Sequence, residues 1–148
     1  MPTMVRASLL LALMGIAASP VVHGQANGDQ CPPSRYSGRR GSIASPWYPL
    51  DYPSSIFCSY TIEIKDTTAT GIRMDVADFD VHTGDHLVIY DGPDKTAPAL
   101  AMFRGGMMDI ATILRSTNLT VYAEFHSDAV LHKKGFLINF CPDALVPC

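Results

Sequence analysis

The sequence predicts an all-β fold of antiparallel strands, arranged as a sandwich or a barrel. Short segments in which apolar and polar residues alternate recur along the chain, and no segment shows a sustained helical period. Turn-rich stretches separate these segments and suit the 11 Gly and 11 Pro of the chain. A parallel sheet would need long crossover connections, so antiparallel pairing is favoured. The predicted turns lie at 66–71, 82–85, 91–98 and 105–106.

The strands are predicted from the positions of their apolar residues. From residue 58 to residue 65 apolar and polar side chains alternate strictly, which is the two-residue period of a strand with one buried face. Five later segments repeat this pattern. Strand by strand, the apolar positions are Cys58, Tyr60, Ile62 and Ile64; Ile72, Met74 and Val76; Leu87 and Ile89; Ile110, Thr112 and Leu114; Leu119, Val121, Ala123 and Phe125; and Phe136, Ile138 and Phe140.

Residues 1–24 are predicted to be a secretory signal peptide. One cation, Arg6, precedes an apolar stretch over 9–18 that is too short to cross about 30 Å of hydrocarbon. Small residues favour cleavage after Gly24. Cleavage after Ser19 is the alternative, but it would place a proline directly after the scissile bond.

The mature chain is predicted to be one secreted domain of roughly 120 residues, since no second apolar segment is long enough to span a bilayer. Residues 25–40 are polar and lack apolar periodicity, which predicts a mobile leader pinned at Cys31 and an ordered body beginning near Gly41. Residues 142–148 form a short tail. The net charge of −3 provides no field that would favour nucleic acid or an anionic membrane.

Four cysteines in a secreted chain are expected to form disulfides, and three pairings are open. Their spacing does not suit a zinc site, because no two form a C-x-x-C pair. Asn118 begins an Asn-Leu-Thr sequon, a predicted N-glycosylation site. No nucleophile elbow and no His-Glu-x-x-His helix occurs, so the sequence predicts a protein without catalytic activity.

Two spaced sets of residues carry a family resemblance. The first is Gly41, Ile43, Ser45, Pro46, Tyr48, Pro49, Tyr52, Pro53 and Cys58; the second is Phe79, Asp80, Asp85, Leu87, Ile89, Asp91, Gly92, Ser127, Asp128, Gly135 and Phe136. Together they closely resemble a CUB domain over residues 31–141. The resemblance implies an extracellular, antiparallel two-sheet, jelly-roll-like β-sandwich that binds other molecules through its loops.

The resemblance also bears on the cysteines. We favour the two pairs that are close in position, Cys31 with Cys58 and Cys141 with Cys148, and the first is the bridge that CUB domains imply. If Cys148 were unpaired, it would be available to link to another chain. The middle disulfide of many CUB domains is missing, because Thr83-Gly84 and Phe103-Arg104 occupy its places. A looser loop around Asp85 is therefore expected.

A calcium site is implied at one end of the sandwich, by the likeness to calcium-binding CUB domains. Tyr52 matches the family's tyrosine, and Asp85 and Asp128 match its second and third acids. The first acid falls on His82, which removes a charge and an oxygen donor, so weaker calcium binding is expected. Two alternatives remain. In the first, Asp85 and Asp128 instead cap turns, a role that is compatible with ligand binding. In the second, zinc is held by His82, Asp85 and His86, with His126.

Three functions follow from these patterns. In the leading hypothesis, Tyr52, Asp85 and Asp128, with or without calcium, bind a basic side chain of an extracellular protein partner. The second is a glycan or glycosaminoglycan binder resembling the spermadhesins, although the acidic balance of the chain argues against it. The third is a regulatory or inhibitory module that associates with an extracellular protease or receptor. The glycan hypothesis needs five basic residues on one face: Arg39, Arg40, Arg73, Lys133 and Lys134.

Overall fold

The structure is a computed structural model, and it describes residues 30–105, 112–145 and 147–148. Within these ranges the chain forms nine β-strands and no helix, so none of the described segments is a helix that could cross a bilayer. The predicted signal peptide, 1–24, lies outside the described residues. The strands are β1 (Arg35–Gly38), β2 (Gly41–Ala44), β3 (Phe57–Ile64), β4 (Ile72–Asp80), β5 (His86–Tyr90), β6 (Ala99–Arg104), β7 (Ile113–Arg115), β8 (Thr120–His126) and β9 (Gly135–Pro142).

The strands form two sheets, and the predicted all-β sandwich is confirmed. One sheet has the order β1-β3-β8-β5-β6 and the other has the order β2-β9-β4-β7. Every pairing is antiparallel except that of β1 with β3, which is parallel. A bulge between Val76 and Asp78 shifts the register of β4 against β9, so that Phe79 after the bulge faces the core.

The core lies between the sheets and is formed by the apolar positions of the alternating segments. At its centre the ring of Phe136 packs edge-on against Phe125, with ring centroids 5.3 Å apart, and against Tyr60, at 6.0 Å. Two tyrosines of the core are fully buried, Tyr60 from β3 and Tyr52 from the loop before it. The side chains from alternating segments that are buried in the core are Cys58, Tyr60, Ile62, Ile64, Ile72, Met74, Val76, Leu87, Ile89, Val121, Ala123, Phe125, Phe136, Ile138 and Phe140.

The ordered body begins earlier than predicted. Residues 35–38, assigned to the polar leader, form β1 and pair with β3, so the prediction that order begins near Gly41 is wrong. Strands β2 and β6 were also not predicted. All three are edge strands with no more than one buried residue each, so the sequence shows no regular alternation there.

Both favoured disulfides are present: Cys31 is bonded to Cys58, and Cys141 to Cys148. Cys148 is therefore bonded within its own chain. One predicted strand had apolar positions at Ile110, Thr112 and Leu114. Leu114 lies in β7, Thr112 lies just before β7, and Ile110 lies outside the described residues.

Candidate functional site

Three loops meet at one end of the sandwich. They are the connection from β2 to β3, which carries Tyr52; residues 81–85 between β4 and β5; and residues 127–134 between β8 and β9. Hydrogen bonds join them: the backbone N–H of Tyr52 donates to the carbonyl of Lys133 at 3.0 Å, and that of Asp128 donates to Oδ1 of Asp85 at 2.7 Å. We call Tyr52, His82, Asp85 and Asp128 the rim.

Tyr52 is the buried support of the rim. Its hydroxyl donates to Oδ2 of Asp85 at 2.5 Å and accepts a hydrogen bond from the backbone N–H of His82 at 2.8 Å. Its ring packs edge-on against Phe125, with centroids 5.1 Å apart. Burial, followed by the hydrogen bond to Asp85, raises the pKa of Tyr52 well above its ordinary value, so the hydroxyl keeps its proton and remains a donor.

Asp85 connects the loops. Its side chain is buried, with 1% of the residue exposed, and its two oxygens accept from Tyr52 and from the backbone of Asp128. Its own backbone N–H donates to the carbonyl of His82 at 3.0 Å, and its carbonyl accepts from Gly105 at 3.2 Å. The carboxylate of Asp85 therefore joins Tyr52 to the loop of Asp128, rather than capping a turn of its own.

Asp128 is the exposed acid of the rim. Its Oδ1 accepts from the backbone N–H of Val130 at 2.8 Å, and its carbonyl accepts from Ser55 at 2.7 Å. A Cβ on Gly84 would collide with Oδ2 of Asp128, so the absence of a side chain at residue 84 leaves room for the carboxylate. The local sequence therefore fixes Oδ1 of Asp128 by a hydrogen bond and leaves space for Oδ2.

His82 completes the group. Its Nδ1 accepts a hydrogen bond from the backbone N–H of Gly84 at 3.3 Å, as the neutral tautomer protonated at Nε2 can do. Ligand atoms of His82, Asp85 and Asp128 all lie within 4.8 Å of one another. The structure thus brings together the residues that the sequence placed at a metal site, although their role as ligands stays a prediction.

His86 and His126 do not join this group. They lie opposite each other on β5 and β8, with their rings stacked at 4.8 Å, and Phe57 packs against His126 at 4.5 Å. Burial and the neighbouring His126 and Arg104 lower the pKa of His86. The predicted zinc set of His82, Asp85, His86 and His126 is therefore wrong as a cluster, because the described metal-capable group contains only the first two of these.

The missing middle disulfide is replaced by a close backbone approach. A Cβ on Gly105 would collide with the backbone carbonyls of Val81 and His82, and the N–H of Gly105 donates to Asp85. Only glycine permits this approach. The end of β6 is thus packed directly on the loop that carries the rim, while the looser loop expected around Asp85 stays a prediction.

Most of the basic residues of the glycan hypothesis are already paired with acids. Four of the five lie in ion pairs with acids, and Arg73 is itself 6% exposed. Each pair neutralises a charge that a sulfated glycan would need. The pairs are Arg39 with Asp66, Arg73 with Asp75, Lys133 with Asp80 and Lys134 with Asp78.

Asn118, the predicted glycosylation site, is exposed on the connection between β7 and β8. Its Nδ2 donates to the carbonyl of Asp91 at 3.0 Å and to Oδ1 of Asp91 at 3.1 Å. The same carboxylate accepts from the backbone N–H groups of Thr117 and Asn118. In the sequence, Asp91 belongs to a predicted turn and to the residues that resemble a CUB domain, and neither pattern indicates its contact with Asn118. A glycan at Nδ2 would leave one N–H for these two contacts, so occupancy stays a prediction.

Comparison with known proteins places this geometry in a wider context. The family model described as CUB domain matches residues 31–140. Human Tolloid-like protein 2 is 31% identical over 119 residues, covering 74% of this chain and 11% of that protein. The structure of the CUB1-EGF-CUB2 domain of human MASP-1/3 is similar over 76% of this chain and 42% of that chain, with 26% identity and a TM-score of 0.63. The crystal structure of the MASP-1 CUB2 domain bound to Ca2+ shares the fold at 24% identity, covering 75% of this chain and 99% of that chain with a TM-score of 0.63.

Proposed function

Since this chain belongs to the CUB domain family, we propose that it is a secreted, non-catalytic recognition module that binds an extracellular protein partner through the rim. The observation that carries the proposal is the convergence of His82, Asp85 and Asp128 within 4.8 Å. Two disulfides and the predicted signal peptide at 1–24 support secretion. The chain spans about a tenth of the length of Tolloid-like protein 2, so the proposal concerns this module alone.

The partner group that suits the rim is a basic side chain. Asp128 is exposed and presents a carboxylate, while Asp85 is buried behind it and adds negative charge without direct contact with solvent. A lysine or arginine placed against Asp128 would form a charge-assisted hydrogen bond. The ion pairs of the basic residues leave less support for the glycan alternative.

Calcium is the ion that we propose to assist this contact. Asp85 and Asp128 fit it, because each carboxylate oxygen retains a lone pair after its protein hydrogen bond, and calcium takes six to eight oxygens. His82 does not fit as a ligand, since imidazole nitrogen is a poor donor for a hard ion and its Nδ1 already accepts from Gly84. Two carboxylates predict weak binding, with Kd of roughly 10⁻⁴–10⁻³ M, as in extracellular modules.

The calcium proposal is tested by calorimetric titration of the chelator-stripped protein. His82→Glu restores a carboxylate at the rim, and we expect it to tighten binding about tenfold or more. Thr67→Glu is the matched control: it adds the same charge in the exposed turn between β3 and β4, at the opposite end of β4, and should leave Kd unchanged. Binding in neither the wild type nor His82→Glu would exclude calcium from the rim.

The partner contact is tested separately with an immobilised lysine-rich peptide and a glycine–serine peptide of equal length. We expect retention only on the lysine-rich peptide, and a decrease of retention as salt is raised. Asp128→Asn should reduce it, whereas Asp94→Asn, which removes an exposed charge in another loop, should not. Equal retention of the two variants would show that the rim is not the binding surface.

A further inference from the structure

A groove lies beside the loop that follows β2, and none of the rim residues is in its lining. Its volume is about 410 Å³, within the range of roughly 300–1,000 Å³ for ligand pockets. Three aromatic rings and two prolines supply most of its apolar lining. They are Tyr36, Trp47, Tyr48, Pro32 and Pro46, and we call this the Trp47 groove.

Trp47 is held in an unusual conformation. Its side chain is 55% exposed, and its φ of 61° lies in the left-handed region that bulky residues rarely adopt. The indole N–H donates to no group in the described parts of the chain. A strained backbone that presents an exposed indole to a groove is typical of a binding position rather than of a packing one.

Two polar side chains that line the groove, those of Tyr48 and Ser45, are occupied by hydrogen bonds within the fold. The Tyr48 hydroxyl donates to Oδ2 of Asp78 at 2.7 Å, and the buried Oγ of Ser45 accepts from the backbone N–H of Phe136 at 3.1 Å. None of the described lining residues carries a charge, so the groove complements an uncharged ligand.

We propose that the Trp47 groove binds an uncharged, proline-rich peptide in the polyproline II conformation. Such a peptide is pre-organised, loses little entropy on binding and stacks its rings on aromatic side chains. Its carbonyls need donors, which the Trp47 indole supplies, and its prolines have no N–H to satisfy. The orientation of Tyr36 is already fixed by its edge-on contact with Phe140, with centroids 6.1 Å apart.

The test uses the fluorescence of Trp47, the sole tryptophan of the chain. Acetylated, amidated decaproline is titrated into the full secreted protein in the presence of chelator, so that the result is independent of calcium at the rim. We expect a saturable shift in emission. A glycine–serine decapeptide should give none. A response to neutral maltoheptaose without one to decaproline would overturn the assignment, as would no saturable response to decaproline.

Variants assign the response to the groove. Ser42 is an exposed lining residue of β2, and Ser42→Arg places a long, charged side chain there while retaining Trp47; we expect decaproline affinity to fall about tenfold or more. Leu50→Ser, in the same loop but outside the lining, should bind as the wild type does. Trp47→Asn, which suits the left-handed φ and is followed by calorimetry, should also lose binding. Unchanged affinity in Ser42→Arg or Trp47→Asn would contradict the proposal.

Discussion

Replacing Tyr52 by phenylalanine removes one oxygen from the centre of the rim and keeps the ring. The hydroxyl that is lost makes two hydrogen bonds, one to the carboxylate of Asp85 and one from the backbone N–H of His82. The packing of the ring on Phe125 is retained. Since Asp85 is buried, water cannot easily replace the lost donor. The substitution therefore measures what these two hydrogen bonds contribute to the stability of the fold.

The expected loss of stability follows from the two bonds. A hydrogen bond to a charged group contributes about 1.5–3 kcal/mol and a neutral one about 0.5–1.5 kcal/mol, so Tyr52→Phe should lower the free energy of unfolding by about 2–4 kcal/mol. Domains of this kind are stable by only about 5–15 kcal/mol, and the change is easily measured by urea unfolding.

Tyr60→Phe is the matched control for this measurement. Tyr60 is also fully buried, but its hydroxyl donates only to the neutral carbonyl of Ala44, at 3.0 Å. Its loss should be about 1 kcal/mol. If Tyr52→Phe costs no more than Tyr60→Phe, then the bond to Asp85 does not have the charge-assisted strength that the geometry assigns to it.

Two further predictions concern single residues. Gly84→Ala should displace the carboxylate of Asp128, and calorimetry should then show weaker calcium binding at the rim. The melting temperature should change little, because the added methyl group meets a flexible side chain that can move. Unchanged calcium binding would contradict this. Hydrogen bonds from the side chain and backbone of Thr68, assisted by Arg39, lower the pKa of Asp66 from 3.8 to about 2. The ionised Asp66 therefore contributes its full stabilisation above pH about 4, and this contribution is lost as the pH falls toward 2. In Asp66→Asn, the free energy of unfolding should depend less steeply on pH in that window. An identical pH profile in the variant and the wild type would refute the assignment.

Much of the sandwich could be predicted from the sequence because its central strands bury one face. The alternation at Cys58–Ile64 is the burial pattern of β3, in which every second residue is buried. The edge strands gave no such signal. β1 is stabilised by parallel pairing with β3 and by the adjacent disulfide at Cys31, and neither interaction leaves a periodic pattern in the four residues from Arg35 to Gly38.

The site was predicted less completely than the fold. The residue types and the family resemblance predicted that His82, Asp85 and Asp128 lie at one site, and in the structure these three residues are close together. The contact of Gly105 with the backbone at Val81 could not be foreseen, because a glycine shows its role only when the opposing backbone is known. The same holds for Asp91, whose carboxylate joins two loops that are 26 residues apart in the sequence.

The arrangement of the rim separates support of the loops from the ion binding that we propose. Both oxygens of Asp85 accept hydrogen bonds from the protein, from Tyr52 and from the backbone of Asp128, so the loops are joined by the chain itself. Because residue 82 is a histidine and not a third acid, only the carboxylates of Asp85 and Asp128 repel each other at the rim. A bound ion therefore has less repulsion to relieve. Calcium binding should therefore change the charge that the rim presents to a partner far more than it changes the stability of the fold.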